Sequence, residues 1–464
     1  MDNTGYTPEE PIAAIATALV PAALGIIRVS GKSCRKLLSS IFSRPKALLA
    51  ALPNSIVYGW IVDPSNGEKV DEVLVSVFCA PKSFTGEDMA EISCHGGVSV
   101  VTAIYALLLK HGFRPAERGE FTFRAYINGK TDLTRAEAVR EIIDSKTAGS
   151  RSRAAGRLAG NLYDVIDSIK KSIVDTIADI EVEIEYPEDE ETIADTFDPS
   201  KLKEAERRLS QLADSWTSEK IYQDGARVVL CGRTNAGKSS LFNSLLKEER
   251  AIVSNIEGTT RDFIESWVDF DGIPARLFDT AGLRDTEDVI EQRGVERTKD
   301  LSREADLILY MVDMSAGITD DDREFIKANS SKIPLILVLN KSDKLGGTDF
   351  SLETELESAV SSVIKISAKL GSQLDSLSSV VKSLLLKGAK TEREQAGLGS
   401  ERQKNAVEQA LLCVRHALSL SADYALDAVV QDLEDSLDFL GAVTGDVTPD
   451  DILGSIFSRF CVGK

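Results

Sequence analysis

Short apolar runs rich in β-branched residues alternate with turn sequences over the first 128 residues. Four of these runs have strand length, at residues 24–30, 55–62, 70–79 and 90–94, and residues 98–110 carry a helical pattern. Turn sequences such as Pro64-Ser65-Asn66-Gly67 separate the runs. Strands of this length bounded by turns predict a small α+β domain over residues 1–128.

The pattern then changes to helical spacing, which predicts a helical domain in two parts, residues 129–223 and 388–464. Apolar residues repeat at Leu133, Ala136 and Val139, a longer amphipathic run spans residues 162–180, and a third helix is predicted over residues 199–222. The acidic stretch at residues 181–191 has the composition of a solvated helix end and loop.

Between the two helical parts, residues 224–387 alternate strands with helices. Apolar runs of strand length occupy residues 228–231, 275–278, 307–312, 335–339 and 363–366. This alternation predicts a mostly parallel sheet with helices on both faces. The α/β domain is therefore predicted as an insertion in the helical domain, with its two ends close together.

Composition narrows the function classes. Of the 464 residues, 43% are hydrophobic and 28% are charged, and no apolar run has the length of a membrane span. With no basic leader before an apolar run, a cytoplasmic protein without a membrane partner is expected. Six scattered cysteines and three histidines argue against a zinc site or a disulfide framework.

The net charge of −20 excludes a general nucleic-acid binder, because phosphate contacts need clustered basic residues. An RNA partner would need a local basic patch or a second protein. Arg151, Arg153 and Arg157 form the best basic candidate, with a solvated helix face as the alternative.

The most specific motif is Gly232-Arg233-Thr234-Asn235-Ala236-Gly237-Lys238-Ser239, which fits G-x-x-x-x-G-K-[ST] between a strand and a helix. In such a loop, glycines allow backbone N–H groups to approach phosphates, and the helix N-terminus adds positive potential. Lys238 is predicted to reach the outer phosphates and to be catalytic, and Ser239 to bind Mg²⁺.

Further elements of a nucleotide site follow in order along the chain: Thr259-Thr260, Asp279-Thr280-Ala281-Gly282, Asn340-Lys341-Ser342-Asp343 and Ser367-Ala368-Lys369. Asp343 can accept hydrogen bonds from the ring N–H and the amine of guanine, which adenine does not offer at those positions. Together the elements resemble translation-factor-type GTPases, which implies GTP and a Ras-like P-loop domain. The predicted GTP-binding residues are Asn235, Ala236, Gly237, Lys238, Ser239, Ser240, Ser254, Thr259, Thr260, Asp279, Thr280, Ala281, Gly282, Asn340, Lys341, Asp343, Ser367, Ala368 and Lys369, with Ser239 and Thr260 on Mg²⁺.

Hydrolysis requires a group that orients water. Ras-like enzymes use a glutamine after the D-x-x-G element, but Leu283 occupies that place and cannot hydrogen-bond water. A K⁺ ion held by Asn235 and by backbone carbonyls from residues 254–259 would neutralise developing charge as an arginine finger does. The alternative role for Asn235 is to stabilise its loop.

Motifs outside the nucleotide elements resemble the tRNA-modification GTPase family called MnmE over essentially the whole chain. They are Ser83-Phe84-Thr85-Gly86-Glu87-Asp88, Cys94-His95-Gly96-Gly97, Gly119-Glu120-Phe121-Thr122, Asn128-Gly129-Lys130 and the terminal Phe460-Cys461-Val462-Gly463-Lys464. The resemblance implies a folate-binding N-terminal domain that dimerises, a helical domain and an inserted GTPase domain. It also implies a homodimer that forms a heterotetramer with the FAD-dependent flavoprotein MnmG and modifies carbon five of the wobble uridine of certain tRNAs.

The resemblance also implies roles for single residues. Arg28, Glu91, Lys130 and Lys464 match positions that bind 5-formyl-tetrahydrofolate or a related tetrahydrofolate, and their chemistry suits its carboxylates and pterin. Asn235, Ser254, Ile256 and Thr259 match the potassium positions, and Glu291 matches the catalytic glutamate. Without the resemblance, the four folate positions are interpreted as ordinary surface charges and Glu291 as a solvated helical glutamate. Cys461 matches the terminal cysteine, as a nucleophile or as a packed thiol.

Two other functions fit a GTP-binding domain. A ribosome-associated RNA-binding GTPase would carry a basic C-terminal RNA module, whereas this chain ends in helical sequence. A membrane-remodelling GTPase would need a lipid anchor or a basic amphipathic helix. One departure from the family pattern, the segment Ala18-Leu19-Val20-Pro21-Ala22-Ala23-Leu24-Gly25, leaves the folate loop geometry undetermined by sequence.

Overall fold

The computed structural model describes residues 10–185, 199–247, 264–279, 305–344, 352–387, 397–421 and 425–463. The chain divides into two compact units. The first unit comprises residues 1–140, 163–203 and 409–464, and the second comprises residues 141–162 and 204–408. The helical segments are thus shared between the units, and the four domain boundaries given above stay predictions.

The N-terminal part of the first unit is a six-stranded sheet with helices. Its elements are β1 (Ile12–Ile15), β2 (Leu24–Ser30), α1 (Cys34–Ser39), α2 (Pro45–Leu49), β3 (Ser55–Asp63), β4 (Glu68–Phe78), β5 (Met89–His95), α3 (Val98–Lys110), β6 (Arg114–Pro115) and α4 (Glu120–Ile127). The strand order is β3-β4-β5-β2-β1-β6, antiparallel except between β1 and β6. The predicted α+β fold of this part is confirmed.

Alternation along the strands explains why this sheet has one well-packed face. In β4, Val73, Val75 and Val77 are buried, while Glu72 and Leu74, which alternate with them, are exposed. The buried face packs in one cluster with side chains from α3. Each fully buried valine or leucine contributes ~1.5–3 kcal/mol relative to exposure. The sequence pattern missed β1 and the short helices α1, α2 and α4, because elements of four to eight residues carry little periodicity.

The helical segments are α5 (Leu133–Asp144), α6 (Ala148–Ala159), α7 (Asn161–Glu185), α8 (Pro199–Asp224), α13 (Glu401–Ser421), α14 (Leu426–Thr444) and α15 (Asp450–Phe457). The apolar stripe of α7, at Ile166, Ile169, Ile173 and Ile180, is fully buried, as its spacing predicts. Within the described parts of the chain, no helix is long and apolar enough to cross a membrane.

The sheet of the second unit is mostly parallel, as predicted. Its elements are β7 (Ala226–Gly232), α9 (Lys238–Lys247), β8 (Ile264–Phe270), β9 (Ile273–Asp279), β10 (Leu307–Asp313), α10 (Asp320–Asn329), β11 (Leu335–Asn340), α11 (Thr354–Ala359), β12 (Ser362–Lys365) and α12 (Leu374–Leu385). The strand order is β12-β11-β10-β7-β9-β8, and only β8 runs antiparallel to its neighbour.

Burial on both faces accounts for the continuous apolar runs of these strands. Along β7, Val228 and Leu230 pack on one face of the sheet, and Val229 and Cys231 pack on the other. Such strands can lie only where helices cover both faces. The carboxyl ends of β7, β9, β10 and β11 meet at one edge of the sheet, where ligands of open α/β sheets bind.

Candidate functional site

The loop after β7 takes a conformation that requires its glycines. Gly232 and Gly237 have φ values of 130° and 102°, a region that residues with a side chain rarely adopt. A Cβ at Gly232 would also collide with the backbone of Met311, and one at Gly237 would collide with the Asn340 amide. Asn235 between them adopts φ 65°. The backbone at this sheet edge is therefore free to approach a ligand closely.

The Lys238 ammonium is held within the loop. Its Nζ donates to the Gly232 carbonyl oxygen at 2.7 Å and to the Arg233 carbonyl oxygen at 2.9 Å, and the residue is only 7% exposed. A buried cation beside a helix N-terminus favours an anion, because both fields have the same sign. Phosphate is the anion that this geometry suits.

Two side chains that carry oxygen atoms meet beside the loop. The Ser239 hydroxyl donates to Oδ2 of Asp279 at 3.2 Å, and the Asp279 carboxylate lies at the end of β9 and is almost fully buried. Hydroxyl and carboxylate oxygens are the ligands Mg²⁺ prefers. Ser240, next in α9, is exposed.

Asn340 joins three elements of the candidate nucleotide site. Its amide Nδ2 donates to the Ala236 carbonyl oxygen at 2.8 Å, and its Oδ1 accepts from the Ala368 backbone N–H at 3.0 Å. The phosphate loop, the end of β11 and the 367–369 segment are therefore fixed relative to one another. Lys341 adds a second link, since its Nζ donates to the Asn235 carbonyl oxygen at 2.8 Å and to Asp313 at 2.5 Å.

The Asp343 carboxylate is positioned to accept hydrogen bonds. The Ser367 hydroxyl donates to its Oδ1 at 2.6 Å, and this bond lowers the pKa of Asp343, with the positive charges of Lys369 and Lys344 acting in the same direction. Asp343 is therefore ionised at neutral pH and keeps acceptor capacity for a ligand. Both Asp343 and Lys369 are exposed at the rim of the candidate nucleotide site.

The remaining predicted nucleotide-site positions lie outside the described residues. They are Ser254, Ile256, Thr259, Thr260, Thr280, Ala281, Gly282 and Glu291. Asn235 is thus the one predicted potassium position, and Ser239 the one predicted magnesium position, for which the structure gives a location. In the described part of the chain, no group of three or more His, Cys, Asp or Glu residues is arranged to hold a metal ion.

A second candidate site lies in the first unit, where β2 pairs with β5. Arg28 and Glu91 are register partners, and Arg28 donates to Glu91 Oε1 from Nε at 3.0 Å and from Nη2 at 2.7 Å. Its Nη1 also donates to the Gly463 carbonyl oxygen at 3.1 Å. The rings of Phe84 and Phe121 each lie 5.6 Å from the guanidinium carbon. A charged pair flanked by aromatic rings suits a flat, polar ring system.

Lys130 lies beside the same loop as Phe84. Its Nζ donates to the Pro81 carbonyl oxygen at 3.0 Å, and its side chain would contact a Cβ placed at Gly86. Three of the four predicted folate positions are therefore near the 81–88 loop or paired across β2 and β5. Lys464 lies outside the described residues.

The C-terminal tail is fixed in the first unit. Val462 forms a bridge with Arg118, and the Gly119 N–H donates to the Cys461 carbonyl oxygen at 3.4 Å. The Cys461 side chain is exposed, so the packed-thiol alternative is not supported. By contrast, burial raises the pKa of the Cys34 thiol to about 12 and that of Cys94 to about 11, so neither is a nucleophile at neutral pH.

Sequence reasoning assigned no role to the charged network that anchors the 83–88 loop. Arg124, which is 2% exposed, donates from Nη1 to Glu87 Oε2 at 2.9 Å and from Nη2 to Glu120 Oε1 at 2.8 Å. Arg114 adds a bond to Glu120 Oε1 at 2.6 Å, and Ser30 on β2 donates to Glu87 at 2.8 Å. The available signal was that Glu87 and Glu120 both lie within motifs already singled out.

The basic candidate for RNA contact is wrong. Arg153 and Arg157 are buried, at 9% and 3% exposure, and both form ion pairs with Glu219 of α8, so they lie neither in a basic patch nor on a solvated helix face. Arg157 also pairs with Glu141 at 2.6 Å. Only Arg151 of the three is exposed. The burial of Arg153 and Arg157 depends on carboxylates from other segments of the chain. Helical spacing within α6 does not reveal those partners.

Comparison with known families gives two matches. A family described as GTP-binding protein TrmE N-terminus matches residues 11–130, and a family described as MnmE helical domain matches residues 133–461. The second match alone spans more than half of the chain.

Curated relatives match over the full length. The chain is 52% identical over 476 residues to tRNA modification GTPase MnmE of Treponema denticola, with 99% of each chain covered. It is 41% identical over 460 residues to the protein of the same name from Carboxydothermus hydrogenoformans, covering 98% of this chain and 100% of the relative. An Era variant of Aquifex aeolicus bound to GDP and AlF4⁻ is 28% identical over 40% of this chain and 66% of its own, with a TM-score of 0.29.

Proposed function

This chain belongs to the MnmE family of tRNA modification GTPases, and from that membership we propose that it is a potassium-dependent GTPase acting on tRNA together with a flavoprotein. The proposed product carries an aminomethyl or carboxymethylaminomethyl group on carbon five of the wobble uridine. The proposed one-carbon donor is 5-formyl-tetrahydrofolate or a related tetrahydrofolate. The proposed assembly is a cytoplasmic homodimer that binds the FAD-dependent flavoprotein MnmG as a heterotetramer.

One observation carries the nucleotide part of this proposal: Asn340 bonds both to the phosphate loop and to the segment that follows β12. The phosphate end and the base end of the candidate nucleotide site are thereby held at a fixed separation. Asp343 then accepts from guanine, Lys238 compensates the outer phosphates, and Ser239 and Asp279 offer oxygen ligands to Mg²⁺. Bound GTP and Mg²⁺ would supply the phosphoryl group and its charge neutralisation.

The residues of the second candidate site fit a folate. Glu91 can accept from the amine and ring N–H of a pterin, Arg28 and Lys130 can donate to carboxylates, and Phe84 and Phe121 flank the guanidinium. Arg28 and Glu91 pair with each other here, so each exchanges a charged partner for the ligand on binding. A tetrahydrofolate would supply the one-carbon unit, and the Cys461 side chain is exposed in the same tail that contacts Arg28.

The proposed hydrolytic step differs from that of Ras-like enzymes. Because Leu283 cannot orient water, we assign that role to Glu291 and assign charge neutralisation to a K⁺ ion at Asn235, Ser254, Ile256 and Thr259. GTP with K⁺ would bring the GTPase domains of two copies together, and hydrolysis would separate them. These assignments rest on the family membership and on the residue types.

GTP turnover in K⁺ and in Na⁺ tests the cation role. We expect turnover in K⁺ to be at least about tenfold faster, since one correctly placed charge lowers the barrier by ~1.4 kcal/mol or more. For Glu291→Ala, turnover should be lost while nucleotide binding is retained. Equal rates in the two cations would remove the potassium assignment, and normal turnover of the variant would remove Glu291 from the catalytic residues.

The tRNA part of the proposal is tested in cells that lack this chain. Their wobble uridines should lose the carbon-five modification, and returning the wild-type chain should restore it. An unchanged modification profile contradicts the proposed function.

Binding of 5-formyl-tetrahydrofolate to the purified chain, measured by calorimetry, should weaken in Arg28→Ala and Glu91→Gln.

A further inference from the structure

The β8–β9 hairpin ends in a tight two-residue turn. Asp271 and Gly272 form the turn with φ values of 51° and 91°, and Phe270 pairs with Ile273 on either side. Positive φ at both central residues is the geometry of a two-residue hairpin turn, for which Asp-Gly is a preferred sequence. The Gly272 N–H donates to Asp269 Oδ1 at 2.5 Å. The backbone geometry of the turn and the Asp269 carboxylate therefore both hold this tip in shape.

This tip is joined to the first turn of α6 within the second unit. The Thr147 hydroxyl donates to the Gly272 carbonyl oxygen at 2.7 Å and accepts from the Ser150 N–H at 3.2 Å as the N-cap of α6. Gly149 lies so close to Gly272 that a Cβ there would collide with the Gly272 carbonyl oxygen. The helix start and the hairpin tip therefore share one hydroxyl and a close backbone approach.

Trp267 of β8 extends the same contact. Its ring lies 4.1 Å from the Lys146 ammonium and 4.8 Å from the Arg276 guanidinium, and it is 8% exposed. A Cβ at Gly225, the residue between α8 and β7, would overlap this ring. Burial lowers the pKa of Lys146, and the nearby Arg276 charge acts in the same direction. Lys382 of α12 donates to the carbonyl and the carboxylate of Asp271, both at 2.9 Å.

The other end of the hairpin lies at the candidate nucleotide site. β9 ends at Asp279, whose carboxylate accepts from Ser239, and Ile264 at the start of β8 pairs with Asp279. From Asp279 to the tip the strand spans about 20 Å. Ladder hydrogen bonds hold β8 to β9 along that length, so a displacement at one end is passed to the other unless the ladder breaks.

We propose that the Asp271–Gly272 tip is a nucleotide-responsive contact through which the GTP-binding site moves the N-terminus of helix α6. α6 is followed after Gly160 by α7, which continues into the first unit of the chain. The contact gives the state of the nucleotide a direct mechanical path to the helical segment. The inference rests on the proposed GTPase function and adds the element that responds to the bound nucleotide.

Linkage makes the proposal testable by binding alone. If the nucleotide changes the tip contact, then a substitution that breaks the contact must change the relative affinity for GDP and a non-hydrolysable GTP analogue. Gly149→Ala pushes the tip away, and Gly156→Ala is the matched control in the same helix, where the nearest atoms belong to Asn161. Thr147→Val removes the shared hydroxyl and Thr147→Ser keeps it, so this pair covers the case in which Gly149→Ala does not fold.

Trp267 serves as the spectroscopic reporter. The chain has three tryptophans, so full-length protein with Trp60→Phe and Trp216→Phe reports on Trp267 alone. We expect its emission to differ between the GDP complex and the analogue complex. We also expect Gly149→Ala and Thr147→Val to change the GDP-to-analogue affinity ratio by about fivefold or more, while Gly156→Ala and Thr147→Ser stay within about twofold of wild type.

The outcomes separate the inference from the function beneath it. If wild type binds neither GDP nor the analogue, the proposed function fails and the inference fails with it. If wild type binds both, but Trp267 emission is the same in the two complexes or the affinity ratio of the tip variants is unchanged, the GTPase function stands and the tip contact is overturned.

Discussion

At the scale of single residues, Asn340 does two jobs with one amide. Its nitrogen donates to the phosphate loop and its oxygen accepts from the base-side segment, so both ends of its dipole are used. A buried amide with both ends paired orders the segments around it, because leaving either end unpaired costs ~1–3 kcal/mol. Asp343, three residues later, has its acceptor oxygens directed by a single hydroxyl from Ser367. The chemistry of the candidate nucleotide site is set by these short side chains at strand ends.

Asp343→Asn should change base selectivity from guanine towards xanthine. The amide offers one acceptor and one donor, which matches the ring N–H and carbonyl of xanthine and leaves the guanine amine opposed by another donor. We expect GTP affinity to fall ~10–100-fold, the equivalent of one or two lost hydrogen bonds, and xanthosine triphosphate binding to appear. Titration with fluorescent nucleotides measures both. The control is Asp320→Asn, an exposed carboxylate of α10; wild-type GTP affinity in Asp343→Asn would exclude Asp343 from base recognition.

His95 should titrate above the ordinary histidine value of about 6.5, because Asp71 accepts from its ring and its backbone N–H and raises its pKa. Since the folded-state pKa is raised, the stabilisation from this pair is fully present below the unfolded pKa and is lost as pH rises through the folded-state pKa. NMR titration of the His95 ring in wild type and Asp71→Asn measures the shift, with Glu68→Gln on the same strand as control. An identical His95 midpoint in Asp71→Asn would contradict this pairing.

At the scale of elements, helix α6 illustrates how burial follows from partners and not from composition. The helix is rich in arginine, yet Arg153 and Arg157 are buried because Glu219 of α8 and Glu141 of α5 neutralise them. Arg157 also donates to the Gly397 carbonyl oxygen, and Leu398 N–H donates to Ser215 of α8. Residues 397–398, which follow the GTP-binding domain in the chain, therefore contact α6 and α8, and α8 is the helix that precedes that domain. All of these residues belong to one compact unit.

Glu219→Ala should destabilise the second unit by about 3–5 kcal/mol, because it leaves two buried guanidinium groups without their shared counter-ion. Urea denaturation followed by circular dichroism measures the change. Glu204→Ala is the matched control in the same helix, since Glu204 pairs with Arg207 on the exposed face, and it should unfold like wild type. A Glu219→Ala midpoint equal to that of the control would show that the ion pairs are not formed in solution.

At the scale of the whole molecule, the chain contains two units with different chemistry. The second unit holds the candidate nucleotide site, and the first holds the Arg28 and Glu91 pair together with the C-terminal tail. Helices α5, α7, α8 and α13 each begin in one unit and end in the other.

Ligands should stabilise the two units selectively. In calorimetry of the full chain, nucleotide should raise the melting temperature of the second unit. At a free nucleotide concentration of about 100 times Kd, the free energy of unfolding of that unit should rise by ~2.7 kcal/mol. A tetrahydrofolate should raise that of the first unit. ATP at the same concentration is the control and should shift neither transition. If GTP raised the melting temperature of the first unit and left that of the second unchanged, the nucleotide site would not lie in the second unit.

The sequence by itself determined the elements with strong periodicity and the motifs bound to them. Runs of apolar residues located β7, β10 and β11, and the fixed spacing of Gly232, Gly237 and Lys238 located the phosphate loop, because both signals are local. Family resemblance added Arg28 and Glu91, and the structure shows them paired across β2 and β5.

Tertiary structure alone decided the features that depend on distant partners. The burial of Arg153 and Arg157, the bond between Arg124 and Glu87 and the contact of Thr147 with Gly272 all join residues far apart in the chain. Whether a charge is solvated or buried is set by the groups brought next to it, and the energy of that pairing has no signature in local spacing. The phosphate loop is recognisable from eight adjacent residues of the sequence. The contact between the Asp271–Gly272 tip and α6, through which we propose that the nucleotide acts, is visible only in the tertiary structure.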